Sequence, residues 1–401
     1  MGSMLEMAGS DNFDVSIIVP ALDMEDYIPE LLKSIELQTL LPREIVIVDS
    51  STTNRTSEVV EKWGGIVPIN YHKVDFALPG HARNIGVKES KGKWIAFLDC
   101  KTLPKPDWLD KCVLVAKKNE VSFVCGLTLF EADTSFKQML RAASIGCRAH
   151  RTLVGSLVLK ESFLETGGFI SDIRSGEDME WLERVNSLGY KMRSPEEPVI
   201  TYYGFPNSLW LAIRKYCLYS MSLAKIDVSI HQKRLFSVAI ILLTMFFAHN
   251  WNSVVAHWDP SHWLYIPHMT KICIILLICS PLFFRGVIKL KRVDISVYHK
   301  RLFLVVIILL FMFLAYKWNA IFAHWDTSHW LFVPHITKMC VFFLLCFSFF
   351  FRGVLRPLAY KVEFSYLFPW RWLLVGFVGL TLDVAKICGF LFGYILKALK
   401  R

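Results

Sequence analysis

Two hydrophobic rhythms divide the chain. From Asp14 onward, short unbroken apolar runs end in Pro or Asp: SIIVP (Ser16–Pro20), EIVIVD (Glu44–Asp49) and WIAFLD (Trp94–Asp99). Runs of this length without polar alternation are the mark of parallel strands buried on both faces, and the stretches between them suit crossover helices. The pattern predicts an α/β nucleotide-binding sheet with its ligand beyond the carboxyl ends of the strands. Asp49 and Asp99 fall at two of those ends. A strand-end Asp is often only a turn former, but two in one sheet point to a site.

From residue 227 the rhythm changes to long apolar runs, and the sequence repeats. DVSIHQKRLF, from Asp227, returns as DISVYHKRLF from Asp294. AHWDPSHWLYIPH, from Ala256, returns as AHWDTSHWLFVPH from Ala323, and FFRGV from Phe283 returns from Phe350. The offset is 67 residues in each case, so the segment is a tandem duplication. Each copy predicts a helical hairpin whose runs approach the ~20 residues that span a hydrocarbon core, with Trp clustered at their ends. Between the two rhythms, Ser208–Ile226 mixes apolar residues with Arg214, Lys215 and Lys225, as an amphipathic helix on a membrane surface does.

Composition sharpens this division. The chain is 54% hydrophobic with a net charge of +10 and a mean hydropathy of +0.39. Residues 227–401 hold 19 Lys and Arg against 6 Asp and Glu, so the rest of the chain is mildly acidic. One uniform soluble domain is excluded, and a nucleic-acid partner is disfavoured because the basic residues sit among apolar runs. Those basic residues gather at one end of the hairpins, which places the hairpin openings and the N-terminal domain in the cytosol. The scattered cysteines contain no C-x-x-C pair and fit a reducing compartment. The first residues lack signal-peptide features and resemble an expression tag. Trp370–Leu396 predicts one tilted helix or a shallow re-entrant pair, and the terminal Lys397, Lys400 and Arg401 favour the pair. Asp383 and Lys386 are spaced to neutralise each other on one helix face. The repeated His-Trp-Asp turns suggest metal ligands, but interfacial turns account for them better, because duplication copies residues whether or not they function.

The runs SIIVPALDMEDYIPELLKSIELQ, EIVIVDSSTTNRT, GHARNIGVKESKGKWIAFLDCKTLPKPDWL and GSLVLKESFLETGGFISDIRSGEDMEWLERVNSLGY resemble glycosyltransferase family 2. The resemblance covers about residues 14–222 and keeps the family's motif order. It implies a GT-A fold, a nucleotide-sugar donor and inversion at the anomeric carbon. Inverting transfer needs a base for the acceptor proton and positive charge on the leaving diphosphate. The resemblance makes Asp178 the base, with Glu177 supporting it or positioning the acceptor; the pair opens a predicted helix, where carboxylates are favoured. It places Pro20, Ala21 and Asp23 around the nucleotide base, Asp49 on the base or ribose, and Arg83 near the nucleotide.

The sequence departs from the family at the metal motif. Asp99-Cys100-Lys101 stands where Asp-x-Asp is usual, so Asp99 alone remains to bind Mg2+ or Mn2+. One carboxylate with phosphates and waters suffices for Mg2+; alternatively the Lys101 ammonium neutralises diphosphate charge itself. VDSS ends the second strand where a further Asp is common, and Tyr203 replaces a frequent His. The Gln-x-x-Arg-Trp motif of processive synthases is absent, which favours transfer of a single sugar.

The expected architecture is therefore a tail or tag (1–13), a GT-A catalytic domain (14–207), an interfacial helix (208–226), two transmembrane hairpins (227–293 and 294–360) and a C-terminal membrane segment (361–401). Together these make an α/β GT-A sheet followed by an all-α transmembrane domain. The expected function is a multi-pass membrane glycosyltransferase moving one sugar from a UDP- or GDP-sugar to a lipid acceptor, such as polyprenyl phosphate or a glycolipid. The hairpins also offer surface for a homo-oligomer. The alternative is a non-catalytic nucleotide-sugar-binding scaffold of a membrane complex.

Overall fold

A computed structural model describes residues 13–226, 261 and 346–399. Most of both predicted hairpins, with their His-Trp-Asp turns, lies outside the described residues. Contacts divide the chain into two units: residues 1–228 together with 356–401, and residues 229–355. The described end of the second unit includes a π-helical turn, Phe351–Leu355.

The first unit is built on a nine-stranded mixed sheet. Its parallel part runs β3 (Ile69–Lys73), β2 (Glu44–Asp49), β1 (Val15–Ala21), β4 (Trp94–Phe97). Antiparallel β7 (His150–Leu159) joins β4, and β6 (Phe123–Phe130) joins β7. Strand β6 then pairs in parallel with the short β8 (Met192–Arg193) and with β9 (Ile200–Tyr202), and β5 (Thr102–Pro104) closes that edge against β9. The three apolar runs of the sequence thus become the three central strands. β2 is buried at all six positions. Its residues alternate between two cores: Ile45 and Ile47 face the first, Val46 and Val48 the second.

Helices α1 (Ile28–Glu36) and α4 (Trp108–Asn119) fill the first core with Ile28, Leu31, Leu32, Trp108 and Leu109. Helices α3 (Pro79–Glu89) and α7 (Glu177–Ser187), with the short α6 (Lys160–Glu165), fill the second through Val87, Phe163, Trp181 and Val185. Such two-sided cover is what a parallel sheet of continuous apolar strands requires. Helix α2 (Arg55–Glu61) lies between β2 and β3 in sequence.

The C-terminal segment packs with the sheet domain: residues 356–401 fall in the same unit as residues 1–228. Two short helices, α9 (Arg356–Ala359) and α10 (Phe364–Leu367), lead to α11 (Arg371–Leu399). Helix α11 is continuous over 29 residues, not a re-entrant pair; it contains no proline, so nothing removes a ladder hydrogen bond midway. It shares a third core with α5 (Ser135–Ser144) and α8 (Leu209–Leu223), including Leu140, Ala212, Val375, Val378 and Leu382. Gly389 and Gly393 bring α11 so close to α8 that a Cβ there would lie 2.1 Å from Cys217 O and 2.4 Å from Met221 O. Within α11, Asp383 and Lys386 do pair, at 3.5 Å. Over Arg371–Lys397 this helix is long and apolar enough to cross a membrane, and 44% of its apolar window is buried inside the protein. Among the described residues it is the one helix that meets that condition.

Candidate active site

Arg83 is the centre of the site. The HARN segment lies in α3, and its arginine side chain is only 6% exposed. Nη1 donates to Glu177 Oε1 at 2.7 Å, and Nη2 donates to Asp99 Oδ1 at 2.8 Å. The guanidinium carbon also lies 5.9 Å from the centre of the Phe169 ring. One planar cation therefore ties the end of β4 to the start of α7. Its fork geometry suits two carboxylates in fixed directions, which a lysine would not reproduce. Burial works against the Arg83 charge, but Asp99 and Glu177 more than restore it and raise its pKa.

Local backbone chemistry places Glu177 and Asp178. The residue before them, Gly176, caps α7 with φ +91°, a left-handed conformation that favours glycine. A Cβ at Gly176 would also lie 2.8 Å from Leu223 on α8. Gly80 makes room on the other side, since a Cβ there would approach Ile170 O to 2.3 Å and Glu177 Cγ to 3.2 Å. Glu177 is buried, and its second oxygen, Oε2, has no hydrogen-bond partner among the described residues. Asp178 is half-buried, and its Oδ1 accepts from Met179 N at 2.8 Å. Burial raises the pKa of Asp178; Arg83 opposes the rise and Asp99 adds to it. Burial raises Glu177 as well, against Arg83 and with help from Asp178. A carboxylate shifted toward neutrality and free of a direct ion pair has the character of a general base.

Asp49 behaves differently. It is fully buried at the end of β2, with both oxygens engaged. Oδ1 accepts from the Ser51 amide at 2.9 Å and from the Ser51 hydroxyl. Oδ2 accepts from Tyr71 OH at 2.6 Å and Lys73 Nζ at 3.0 Å. Burial works against its charge, yet these hydrogen bonds prevail and hold the carboxyl below its ordinary 3.8. The same Ser51 hydroxyl accepts from Asp23 N at 2.7 Å, which links the exits of β1 and β2. Asp23 has φ +52° and is exposed. Ala21 pairs with Asp49 across β1 and β2, and Pro20 O faces the thiol of Cys100 at 3.5 Å. Pro20, Ala21, Asp23 and Asp49 therefore gather at neighbouring strand ends. Arg83, Asp99, Glu177 and Asp178 form a second group.

Asp99 also satisfies the requirements of a shared metal site in part. Its side chain is 32% exposed, with Oδ1 on Arg83. Among the described residues no three His, Cys, Asp or Glu side chains converge as a protein-made metal cage. The donor set fits a divalent cation held by one carboxylate together with phosphate oxygens and water. Lys101 does not reach across to a carboxylate; its ammonium lies 4.7 Å from the centre of the Tyr27 ring.

Sequence reasoning missed the contribution of α8. Lys215 sits over the rings of Tyr202 (6.0 Å) and Tyr219 (5.6 Å) and donates to Gly204 O at 3.2 Å. Burial lowers its pKa to about 8, with Lys101 adding to the fall and Asp99 opposing it, so the ammonium is still mainly charged at pH 7. Burial raises Tyr219 to about 12, aided by the negative charge of Asp99 and Glu177. Basic residues in an amphipathic stretch carry a membrane signal in sequence, so nothing there distinguishes Lys215 from Arg214.

The family model described as "Glycosyl transferase family 2" matches residues 16–168. The chain is 26% identical over 196 residues to "Glycosyltransferase AglE" of Haloferax volcanii, covering 44% of this chain and 63% of that one. It thus spans less than two thirds of that relative's length. It is 27% identical over 209 residues to an "Uncharacterized glycosyltransferase" of Haemophilus influenzae, covering 48% and 68%. Among solved structures, "Mannosyltransferase PcManGT from Pyrobaculum calidifontis in complex with GDP-Man and Mn2+" is similar at 20% identity and a TM-score of 0.40, covering 55% and 66%. "Crystal structure of S. aureus TarS 1-349 in complex with UDP-GlcNAc" is similar at 16% identity and a TM-score of 0.39, covering 60% and 76%. The matched family and the named relatives are glycosyltransferases, and the family match lies in the N-terminal half of the chain. The match ends at residue 168, before Glu177, so the roles of Glu177 and Asp178 rest on the geometry and on the motif resemblance.

Proposed function

We propose that the protein is an inverting glycosyltransferase that moves one sugar from a UDP- or GDP-sugar to a membrane-held acceptor. The observation that carries the reading is the Arg83 bridge, which brings Asp99 and the Glu177-Asp178 pair to one place at the end of the parallel strands. Asp178 takes the proton of the acceptor hydroxyl as its oxygen attacks the anomeric carbon, and the bond to the nucleoside diphosphate breaks on the opposite face. Glu177, held by Arg83, fixes the start of α7 and so the position of Asp178. Pro20, Ala21, Asp23 and Asp49 cradle the nucleoside end of the donor, and Lys101 provides positive charge toward its phosphates. Mg2+ or Mn2+, held by Asp99 and the donor phosphates, would stabilise the charge of the leaving diphosphate.

The acceptor class is argued from α8 and α11. Trp210 is 70% exposed, and Leu211, Leu218, Phe377, Val384, Leu391 and Phe392 also present apolar surface. This exposed apolar surface supports an acceptor anchored in lipid, with the 208–226 segment lying at the headgroups. The test is turnover by detergent-purified protein of a panel of UDP- and GDP-sugars, with Mn2+, against polyprenyl phosphate, glycolipids and soluble sugars. Transfer to a lipid acceptor is expected. Transfer to soluble sugars alone would remove the membrane-acceptor reading, and no turnover of any donor would leave a nucleotide-sugar-binding scaffold.

A further inference from the structure

The charge around the reaction centre is poorly matched to the ligand it is meant to hold. Asp99, Glu177 and Asp178 bring three carboxylates, and Arg83 is already spent on two of them. Lys101 follows Asp99 by two residues, and with it these three carboxylates still outnumber the two cations, Arg83 and Lys101, where a nucleoside diphosphate must leave. Yet another cation stands at the same edge of the sheet. Thr102 pairs with Tyr202 across β5 and β9, and Tyr203 N donates to Lys101 O at 3.1 Å. The strand carrying Tyr202 therefore runs directly beside the Asp99-Cys100-Lys101 turn, and Lys215 Nζ lies 6.0 Å from the centre of the Tyr202 ring. Thr102 Oγ1 closes the turn by donating to Asp99 O at 2.5 Å.

Lys215 is also short of partners for a half-buried ammonium. It has one carbonyl, Gly204 O, two aromatic faces, and no salt bridge among the described residues. An ammonium removed from water is expected to face an anion, or its charge is lost. Neither Tyr202 nor Tyr219 supplies one, since burial and Asp99 hold both phenols in their neutral form. On the far side of α8, Lys386 of α11 lies over the Tyr216 ring at 5.0 Å and adds no negative charge toward Lys215.

We propose that Lys215 is a diphosphate-binding residue: with Lys101 it forms a two-cation seat for the phosphates of the nucleotide donor, reached from α8 across β9. This rests on the glycosyltransferase reading and deepens it, because it gives α8 a place in the donor site as well as at the membrane. The seat stands where the usual second carboxylate of the metal motif is missing, so part of the charge ordinarily delivered by a metal comes from side chains.

The test is equilibrium binding of UDP and GDP, with uridine and guanosine as controls, to the full detergent-purified chain. Wild type is compared with Lys215→Met, Lys215→Arg and Lys101→Met, each with Mn2+ and with EDTA, and each checked by thermal melt. Lys215→Met is expected to weaken the preferred diphosphate by about 10–100-fold, the range for a hydrogen-bonded charge, while leaving the nucleoside unchanged. Lys215→Arg, which keeps the charge, is expected to recover most of the loss. The deficit of Lys215→Met is expected to be larger in EDTA. Unchanged diphosphate affinity in folded Lys215→Met, an equal loss for nucleoside and diphosphate, or a rise only in the acceptor KM would each overturn the proposal. Binding of diphosphate by wild type without any sugar transfer would sink the glycosyltransferase reading and leave the seat standing; no diphosphate binding by wild type would sink both.

Discussion

The ends of β2 and β4 each carry an aspartate beside a cation, and the two surroundings are opposite in kind. Around Asp49, Ser51, Tyr71 and Lys73 supply a donor for every direction the carboxylate presents, and its pKa falls. Around Asp99, Glu177 and Asp178, two of the three carboxylates share one buried guanidinium, Glu177 keeps an oxygen without a partner among the described residues, and the pKa values of Glu177 and Asp178 rise. A satisfied carboxylate organises loops; an incompletely compensated group is poised to take up a proton or face a cation. On the proposed function, the difference separates a positioning centre from a reactive one at one end of the sheet.

The contrast is broken most severely at Arg83. Arg83→Met leaves Glu177 buried without its cation and is expected to cost about 3–5 kcal/mol in urea unfolding, together with all transfer activity. Adding Glu177→Gln to that variant is expected to return part of the stability and none of the activity. An Arg83→Met protein as stable as wild type would show that the bridge does not hold α7 in place. Gly176→Ala is next, at about 1–3 kcal/mol, because the residue keeps a left-handed backbone and its Cβ meets Leu223. A melting temperature equal to that of wild type would count against the tight seating of α8 on the start of α7.

At the satisfied centre the effects are smaller and depend on pH. Asp49→Asn is expected to cost about 1–3 kcal/mol at neutral pH by leaving donors poorly matched. The Asp49 pKa is lower folded than unfolded, so its contribution is present above the unfolded value of about 4 and is lost as pH falls through the folded value. The stability gap between wild type and Asp49→Asn should therefore close in acid; a gap that widens below pH 4 would reverse the assigned sign. Tyr71→Phe removes one of the four hydrogen bonds and is expected to cost about 0.5–1.5 kcal/mol in the same assay.

What was legible in the sequence follows the same division. The central strands are evident because a run such as EIVIVD is unbroken in apolar residues from Ile45 to Val48, a local property. The opening of α7 at Glu177 is equally local, marked by glycine and consecutive acids. The partnership of Arg83 with both Glu177 and Asp99 spans 94 and 16 residues, and no spacing rule connects them. In sequence, Lys215 belongs only to an amphipathic stretch, because its nearness to the Asp99-Cys100-Lys101 turn depends on β9 pairing with β5. The packing of the apolar C-terminal segment was hidden for a different reason. Hydropathy measures what leaves water and not which neighbour covers it, and α11 buries one side against α8 and α5.

The central claim is that the incompletely compensated centre does chemistry, and Asp178 is the residue on which it turns. The direct measurement is kcat for a hydroxyl acceptor with wild type and Asp178→Asn, with nucleoside diphosphate affinity and melting temperature recorded on the same samples. A base role predicts a loss of about 100–10,000-fold in kcat with affinity and melting temperature unchanged. Against a phosphate acceptor, already ionised, the loss should be far smaller. Asp178→Asn turning over hydroxyl acceptors at the wild-type rate would contradict the account.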